Sequence, residues 1–181
     1  MHPIQHSQAR PDQPAVIMAG SGKTMTFGEM DAEANRFAHL LRERGLSAND
    51  AFAVLLENRV EYFTLIWGSQ RAGTLLVPIS TRLTAPEISY ILKDSETKLL
   101  ITSTAFDGVL GDVRAACPDI PVLVMDASGE EDFAAALSGQ SAEPIEDQSA
   151  GMVMLYSSGT TGRPKGIRPK PPEDPDPLAV N

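Results

Sequence analysis

Five apolar runs of strand length punctuate the sequence: AFAVLL at 51–56, TLLVPI at 74–79, KLLIT at 98–102, PVLVM at 121–125 and MVMLY at 152–156. They are continuous, without the polar alternation of a strand that wets one face. A strand of this kind has to be covered on both sides, which is the condition of a parallel sheet between helical layers. The segments between the runs carry the helices that such a sheet needs. Thr26-Phe27-Gly28-Glu29 has the spacing of a capping box, with Met30, Ala34, Phe37 and Leu41 on one stripe behind it and Gly45 as a stop. A second helix is expected from Asn58, with Glu61 three residues on, through Phe63, Ile66 and Trp67 to Gly73. A third begins at Thr84-Ala85-Pro86-Glu87, where proline is tolerated because first-turn amides have no helical partner. A weaker helix is expected at 104–116 and a short acidic one within GEEDFAAALSG, followed by a linker at 139–150. Strands alternating with helices give an α/β layered fold with a mainly parallel sheet flanked by helices.

The ends read differently from the body. Residues 1–14 are polar and are expected to fray, so that His2 and His6 are solvated side chains and not metal ligands. Residues 167–181 hold five prolines between Pro169 and Pro177, which preclude a helix or a central strand and leave an extended or disordered tail. The folded body is therefore expected at 15–166. No apolar run approaches the roughly 20 residues of a membrane span, and no secretory signal opens the chain. With a single cysteine, Cys117, a cytoplasmic location is expected. Fifteen Lys and Arg against 24 Asp and Glu give a formal net charge of -9, which disfavours a nucleic-acid partner. The imbalance is local: residues 126–150 hold seven acidic side chains and no basic one, whereas 148–172 hold four basic and no acidic one. An anion would prefer the second segment. His39 and Trp67 fall on helical patterns as packing residues, and Cys117 has no neighbouring His or Cys to make it reactive.

Two glycine-rich stretches compete for that anion. MAGSGKTMTF, 18–27, ends in the Gly-Lys-Thr of a Walker loop, but the first glycine of that motif would fall at Ile17. AVIM before it and TMTF after it read as strands, so a plain hairpin is expected. The other stretch, YSSGTTGRPKG at 156–166, follows the apolar run 152–156 and interleaves Ser157, Ser158, Thr160 and Thr161 with Gly159, Gly162 and Gly166. Glycines let successive amides converge on an anion, hydroxyls add donors without bulk, and Arg163 and Lys165 bring positive charge. A solvated Ser/Thr/Gly turn is the plainer reading of any three or four of these residues, but not of ten in a row. The prolines from Pro169 onward exclude a following helix, so backbone amides and Lys165 would have to do the binding.

YSSGTTGRPKG resembles the phosphate-loop signature of the adenylate-forming superfamily, which includes acyl-CoA synthetases, the adenylation domains of peptide synthetases and luciferases. TFGEMDAEANRFAHLLRERGL resembles its first helix block and QRAGTLLVPI its Ala-Gly-x-x-x-x-Pro strand entry, so the likeness covers about residues 13–167. The resemblance implies that a carboxylate attacks the α-phosphate of ATP, pyrophosphate leaves, and a thiol such as coenzyme A captures the acyl group. It further implies that Ser157, Ser158, Gly159, Thr160, Thr161, Gly162, Arg163, Lys165 and Gly166 hold the ATP phosphates. Thr160 or Thr161 would lie near Mg²⁺, and Lys165 would neutralise the departing pyrophosphate. No general base is implied, since the attacking carboxylate is already ionised. The family's aromatic-Gly-x-Thr-Glu block, ribose-binding aspartate and adenylation lysine do not occur among these 181 residues. The resemblance therefore implies the N-terminal portion of an ATP-dependent acyl-CoA synthetase, inactive in isolation and prone to self-association through the face its remainder would cover. GIRPKPPEDPDP is similar to the continuation in some fatty-acyl-CoA synthetases, which points to a fatty acid as the small carboxylic acid. The alternative is a naturally short, non-catalytic α/β binding module that keeps the scaffold for a partner.

Overall fold

In the computed structural model, which describes residues 3–157 and 164–177, the apolar runs meet in one parallel sheet. Its strands are β3 (Ala51–Leu55), β4 (Leu75–Pro78), β5 (Thr97–Ser103), β6 (Val122–Met125) and β7 (Met152–Val153). They follow two short antiparallel strands, β1 (Pro14–Ile17) and β2 (Thr24–Thr26), and are arranged in the order β6-β5-β3-β4-β7. The central strand β3 pairs in parallel with β4 on one side and β5 on the other, and all five of its residues are buried. Phe52 and Val54 point into one core with Phe37, Leu40, Leu41, Leu65 and Phe133. Ala51, Ala53 and Leu55 point into another with Ile88, Ile91, Leu92, Leu110 and Val113. The two-sided burial expected of continuous apolar strands is what the chain adopts.

The helices supply those two layers. After α1 (Pro3–Ala9) come α2 (Phe27–Glu43) and α3 (Glu61–Ala72), which cover one face. The opposite face is covered by α4 (Ala85–Asp94) and α5 (Asp107–Ala116), and α6 (Phe133–Ser138) joins the first layer. The capping box read at Thr26 forms, and a second caps the helix that starts after Thr84. Thr26 Oγ1 accepts the amide of Glu29 at 3.2 Å while Glu29 Oε2 accepts that of Thr26 at 2.8 Å, and Glu87 Oε2 accepts the amide of Thr84 at 2.8 Å. These reciprocal bonds satisfy first-turn amides that a helix leaves orphaned. Gly73, in the left-handed conformation, ends α3. Its start differs from expectation: α3 begins at Glu61 and not at Asn58, because Arg59 is drawn out of the helix by three carboxylates described below.

Where α2 crosses α3, the backbones come close at Gly68. A Cβ there would stand 2.6 Å from Phe37 Cδ1 and 2.8 Å from the Ala34 carbonyl oxygen. Three residues on, Arg71 lies 1% exposed in the same seam, its guanidinium paired with Asp31 and hydrogen-bonded to the Asn35 side chain, both on α2. A buried guanidinium is tolerated only with such partners, and the pair fixes which turn of α3 faces which turn of α2.

Two segments depart from the sequence reading. Residues 3–9, expected to fray, form α1. It is tied down because the His6 ring lies 4.9 Å from that of Phe27, and the backbone just after it bonds through Pro11 O to the Gly28 amide at 2.9 Å. MVMLY is not one buried strand. β7 ends at Val153, and β8 (Leu155–Ser157) leaves the sheet to pair with β9 (Lys165–Ile167). Among the described residues β7 pairs with β4 alone and one of its faces is uncovered: Met152 and Met154 face the core while Val153 and Leu155 face solvent at 39% and 54% exposure. Residues 168–177 carry no helix or strand and lie against the body, with Pro175 O accepting the Ala150 amide at 2.7 Å.

Gly68→Ala is expected to destabilise the fold by about 1–3 kcal/mol, since the added methyl has backbone on one side and a core ring on the other. Denaturant unfolding checks this; an unchanged midpoint would show that α2 and α3 can move apart without cost.

Candidate functional site

The first glycine stretch is a hairpin. β1 and β2 pair antiparallel with Val16 opposite Met25 and Ile17 opposite Thr24, and Gly22 takes a positive φ in the turn. No helix starts at Thr24, and Lys23 Nζ sits 2.7 Å from Glu61 Oε1. The lysine that the Walker reading would place on a phosphate is occupied by a carboxylate.

The second stretch is carried on the β8–β9 hairpin. Leu155 faces Ile167, Tyr156 faces Gly166 and Ser157 faces Lys165, so the first and last polar residues of the expected loop stand opposite each other at its mouth. Ser158, Gly159, Thr160, Thr161, Gly162 and Arg163 lie outside the described residues. Ser157 and Lys165 are exposed, and none of the ion pairs among the described residues engages Lys165. Gly166 has a steric duty that the sequence did not reveal. A Cβ there would meet Met154 Cε at 2.6 Å and Tyr156 Cζ at 2.9 Å, so its lack of a side chain lets the Tyr156 ring lie across β9. The Tyr156 hydroxyl then donates to Asp94 Oδ2 at 2.7 Å. Burial, and next the bond to the Asp94 carboxylate, push the phenol above its ordinary range. On the other arm, Arg168 donates to Asn49 O at 2.9 Å and lies 3.7 Å from Glu96.

A second polar centre lies elsewhere, and sequence reasoning missed it. β3 is followed by α3 on one face and its neighbour β5 by α5 on the other, so the sheet has a switch point beyond the carboxyl ends of these two strands. Ser103 Oγ there donates to Glu57 Oε2 at 2.6 Å, and Arg59 reaches Glu57 at 3.0 Å, Glu61 at 3.0 Å and Asp126 at 2.7 Å. Beside it a cleft of about 760 Å³ is lined by Val16, Ile17, Met18, Tyr62, Phe63 and Arg59. This cleft lies away from the phosphate-loop stretch. Its one guanidinium is already held by three carboxylates and its walls are apolar, so it is poorly suited to a polyphosphate. Charged residues just after a buried strand were the available signal; Asn58 was instead read as a helix cap.

A parallel sheet covered on both faces by helices defines a layered α/β protein. The chain belongs to the AMP-binding enzyme family, which matches residues 4–168. It is 38% identical over 165 residues to the fatty acid–[acyl-carrier-protein] ligase ScoC of Streptomyces coeruleorubidus, covering 90% of this chain and 31% of that ligase. To the long-chain-fatty-acid–CoA ligase FadD13 of Mycobacterium tuberculosis it is 36% identical over 166 residues, covering 90% and 33%. Among solved structures, an inhibitor-bound N-terminal domain of FACL13 from Mycobacterium tuberculosis superposes with a TM-score of 0.80 at 32% identity, covering 92% of this chain and 42% of that one. The anthranilate CoA ligase AuaEII in complex with anthranoyl-AMP gives 0.80 at 27% identity, covering 91% and 32%. The chain therefore spans about a third of the length of the curated relatives it matches and corresponds to their N-terminal portion. No described helix is long and apolar enough to cross a membrane.

The Arg59 cluster makes acid stability predictable. Burial opposes ionisation of Glu61, but hydrogen bonds from Lys23 and Arg59 outweigh it and hold the carboxyl below its usual 4.5; the bond from Arg59 likewise holds Asp126 below 3.8. Folded values below unfolded ones give stability that is present above the unfolded values and lost as pH falls through the folded ones. Urea midpoints should therefore hold near neutrality and decline from about pH 4.5 downward. Arg59→Met should be less stable near neutrality, with the gap to wild type closing as pH falls through the lowered folded values. A gap that stays constant across that range would show that Arg59 acts by packing alone.

Proposed function

We propose that these residues form the N-terminal part of an ATP-dependent acyl-CoA synthetase whose 156–166 stretch binds the ATP phosphates. The observation that carries this reading is the contrast between two lysines: Lys165 stands exposed at the mouth of the β8–β9 hairpin opposite Ser157, while Lys23 is spent on Glu61. Backbone amides and hydroxyls of Ser157 to Gly162 would line the β- and γ-phosphates, with Arg163 at the far end. Thr160 or Thr161 would lie near a Mg²⁺ ion that shields the phosphate charge. Lys165 would hold the pyrophosphate as it leaves, lowering the barrier by stabilising charge that develops there. A fatty acid is the proposed carboxylate and coenzyme A the proposed acceptor, by likeness to the FadD13 and ScoC relatives. The same reading places the protein in the cytoplasm.

Magnitudes support an inactive isolated segment. A handful of hydrogen bonds to charged groups, each worth about 1.5–3 kcal/mol, stands against an association cost of about 4–15 kcal/mol. That balance leaves millimolar affinity or weaker without an adenine pocket. A non-catalytic binding module is the second reading, favoured by one observation. Val153, Leu155 and Ile167 form an apolar set at 39%, 54% and 60% exposure on β7 to β9, a face that a further part of the polypeptide or another copy would cover.

In the complete polypeptide that carries this segment, Lys165→Ala should lower ATP–pyrophosphate exchange by about a hundredfold, the scale of losing one charge-stabilising donor. Lys23→Ala should leave it within about twofold, because its partner lies on the α3 start and not on the loop. Equal losses from both would overturn the assignment of the loop.

A further inference from the structure

Apolar burial holds the sheet in place, but it does not hold the hairpin that carries the phosphate-loop stretch. Leu155 and Ile167 are more than half exposed, Ser157, Lys165 and Gly166 are exposed, and three residue pairs join β8 to β9 among the described residues. A two-stranded ribbon of this size is marginal in water without something to lean on. What it leans on is the Tyr156 ring, half-buried against the core beside Met152 and Met154. That ring ends on a carboxylate of the layer below. Asp94, the last residue of α4, accepts the Tyr156 hydroxyl on Oδ2 at 2.7 Å and the Tyr90 hydroxyl on Oδ1 at 3.3 Å, one phenol on each oxygen. Gly166 completes the arrangement by clearing the space the ring crosses. Tyr156 immediately precedes Ser157, so the direction in which the chain enters the loop is set at this point.

Resting on the phosphate-binding reading above, we infer that Asp94 is a positioning residue for ATP. Through Tyr156 it fixes the stem from which the phosphate-binding residues project, without touching the nucleotide. Its effect is expected on ATP, the substrate that the proposed function assigns to this hairpin. The acceptor geometry matters more than the charge, so an amide at position 94 can still take the phenolic proton.

The test uses the complete polypeptide, with ATP–pyrophosphate exchange measured against ATP and against the acid separately. Asp94→Ala is expected to raise KM for ATP about tenfold and leave KM for the acid within about twofold. Tyr156→Phe is expected to match it, and the double variant to be no worse than Asp94→Ala alone, because the Tyr156–Asp94 bond is lost in every one of them. Asp94→Asn is expected to restore KM for ATP to within about threefold of wild type. Equal rises in both KM values, additive losses in the double variant, or an Asn variant as impaired as the Ala one would each overturn the inference, since a general loss of structure produces them. Hydrogen exchange of amides 152–157 provides a readout that does not depend on activity. It should quicken in Asp94→Ala and Tyr156→Phe but not in Asp94→Asn, and unchanged exchange in all three would overturn the anchor. A wild-type polypeptide without ATP–pyrophosphate exchange would overturn the proposed function instead, and the hydrogen-exchange result would then decide the anchor by itself.

Discussion

The rest of the molecule depends on the burial of β3 on both faces. Parallel neighbours on each side satisfy its amides and carbonyls, and a helical layer on each face takes its side chains, so none of its five residues has an alternative in solvent. That arrangement requires α2 and α3 to lie on one side and α4 and α5 on the other. The α2–α3 seam is then tight enough that position 68 must be glycine, and specific enough that a buried arginine finds Asp31 and Asn35.

The same seam brings the chain back to the sheet. Ser149 and Gly151 donate to the carbonyls of Arg71 and Gln70 at the end of α3, and Met152 and Met154 donate to Thr74 and Leu76 along β4. Up to Met154 the path is set by backbone bonds against buried elements. Beyond it the hairpin is held by side chains on exposed acceptors, Asp94 and Asn49, which precede β5 and β3. The chain thus changes from apolar to polar anchoring at this point, and segments held by exposed polar contacts belong to the less stable part of a fold.

Charge placement separates the two glycine stretches more sharply than glycine content does. Lys23 and Arg59 are both drawn to the start of α3, where Glu61 accepts both, with Glu57 and Asp126 completing Arg59's set. Their positive charge is neutralised within the fold. Lys165 and Arg168 lie in a stretch without acidic side chains, and Arg168 has only the distant Glu96 as an ionic partner. The acidic surplus of the whole chain hides this local difference.

Sequence alone determined the layered α/β class, because continuous apolar runs have no stable place except between two covers, and the capping box at Thr26 and the helix start at Thr84, because their hydrogen bonds close within four residues. It also determined that 18–27 is a hairpin, since Ile17 stands where a Walker glycine is needed and strands flank the turn. Tertiary structure decided what depends on distant partners. It ended the last apolar run at Val153, where the face opposite Met152 and Met154 is left uncovered, and it paired Arg59, ahead of α3, with Asp126, 67 residues away. It also gave Gly166 the task of clearing room for Tyr156 on its way to Asp94, 62 residues earlier in the chain. Local patterns fix hydrogen bonds that close within a turn, whereas the position of a phenol over a glycine and against a carboxylate exists only once two layers have packed.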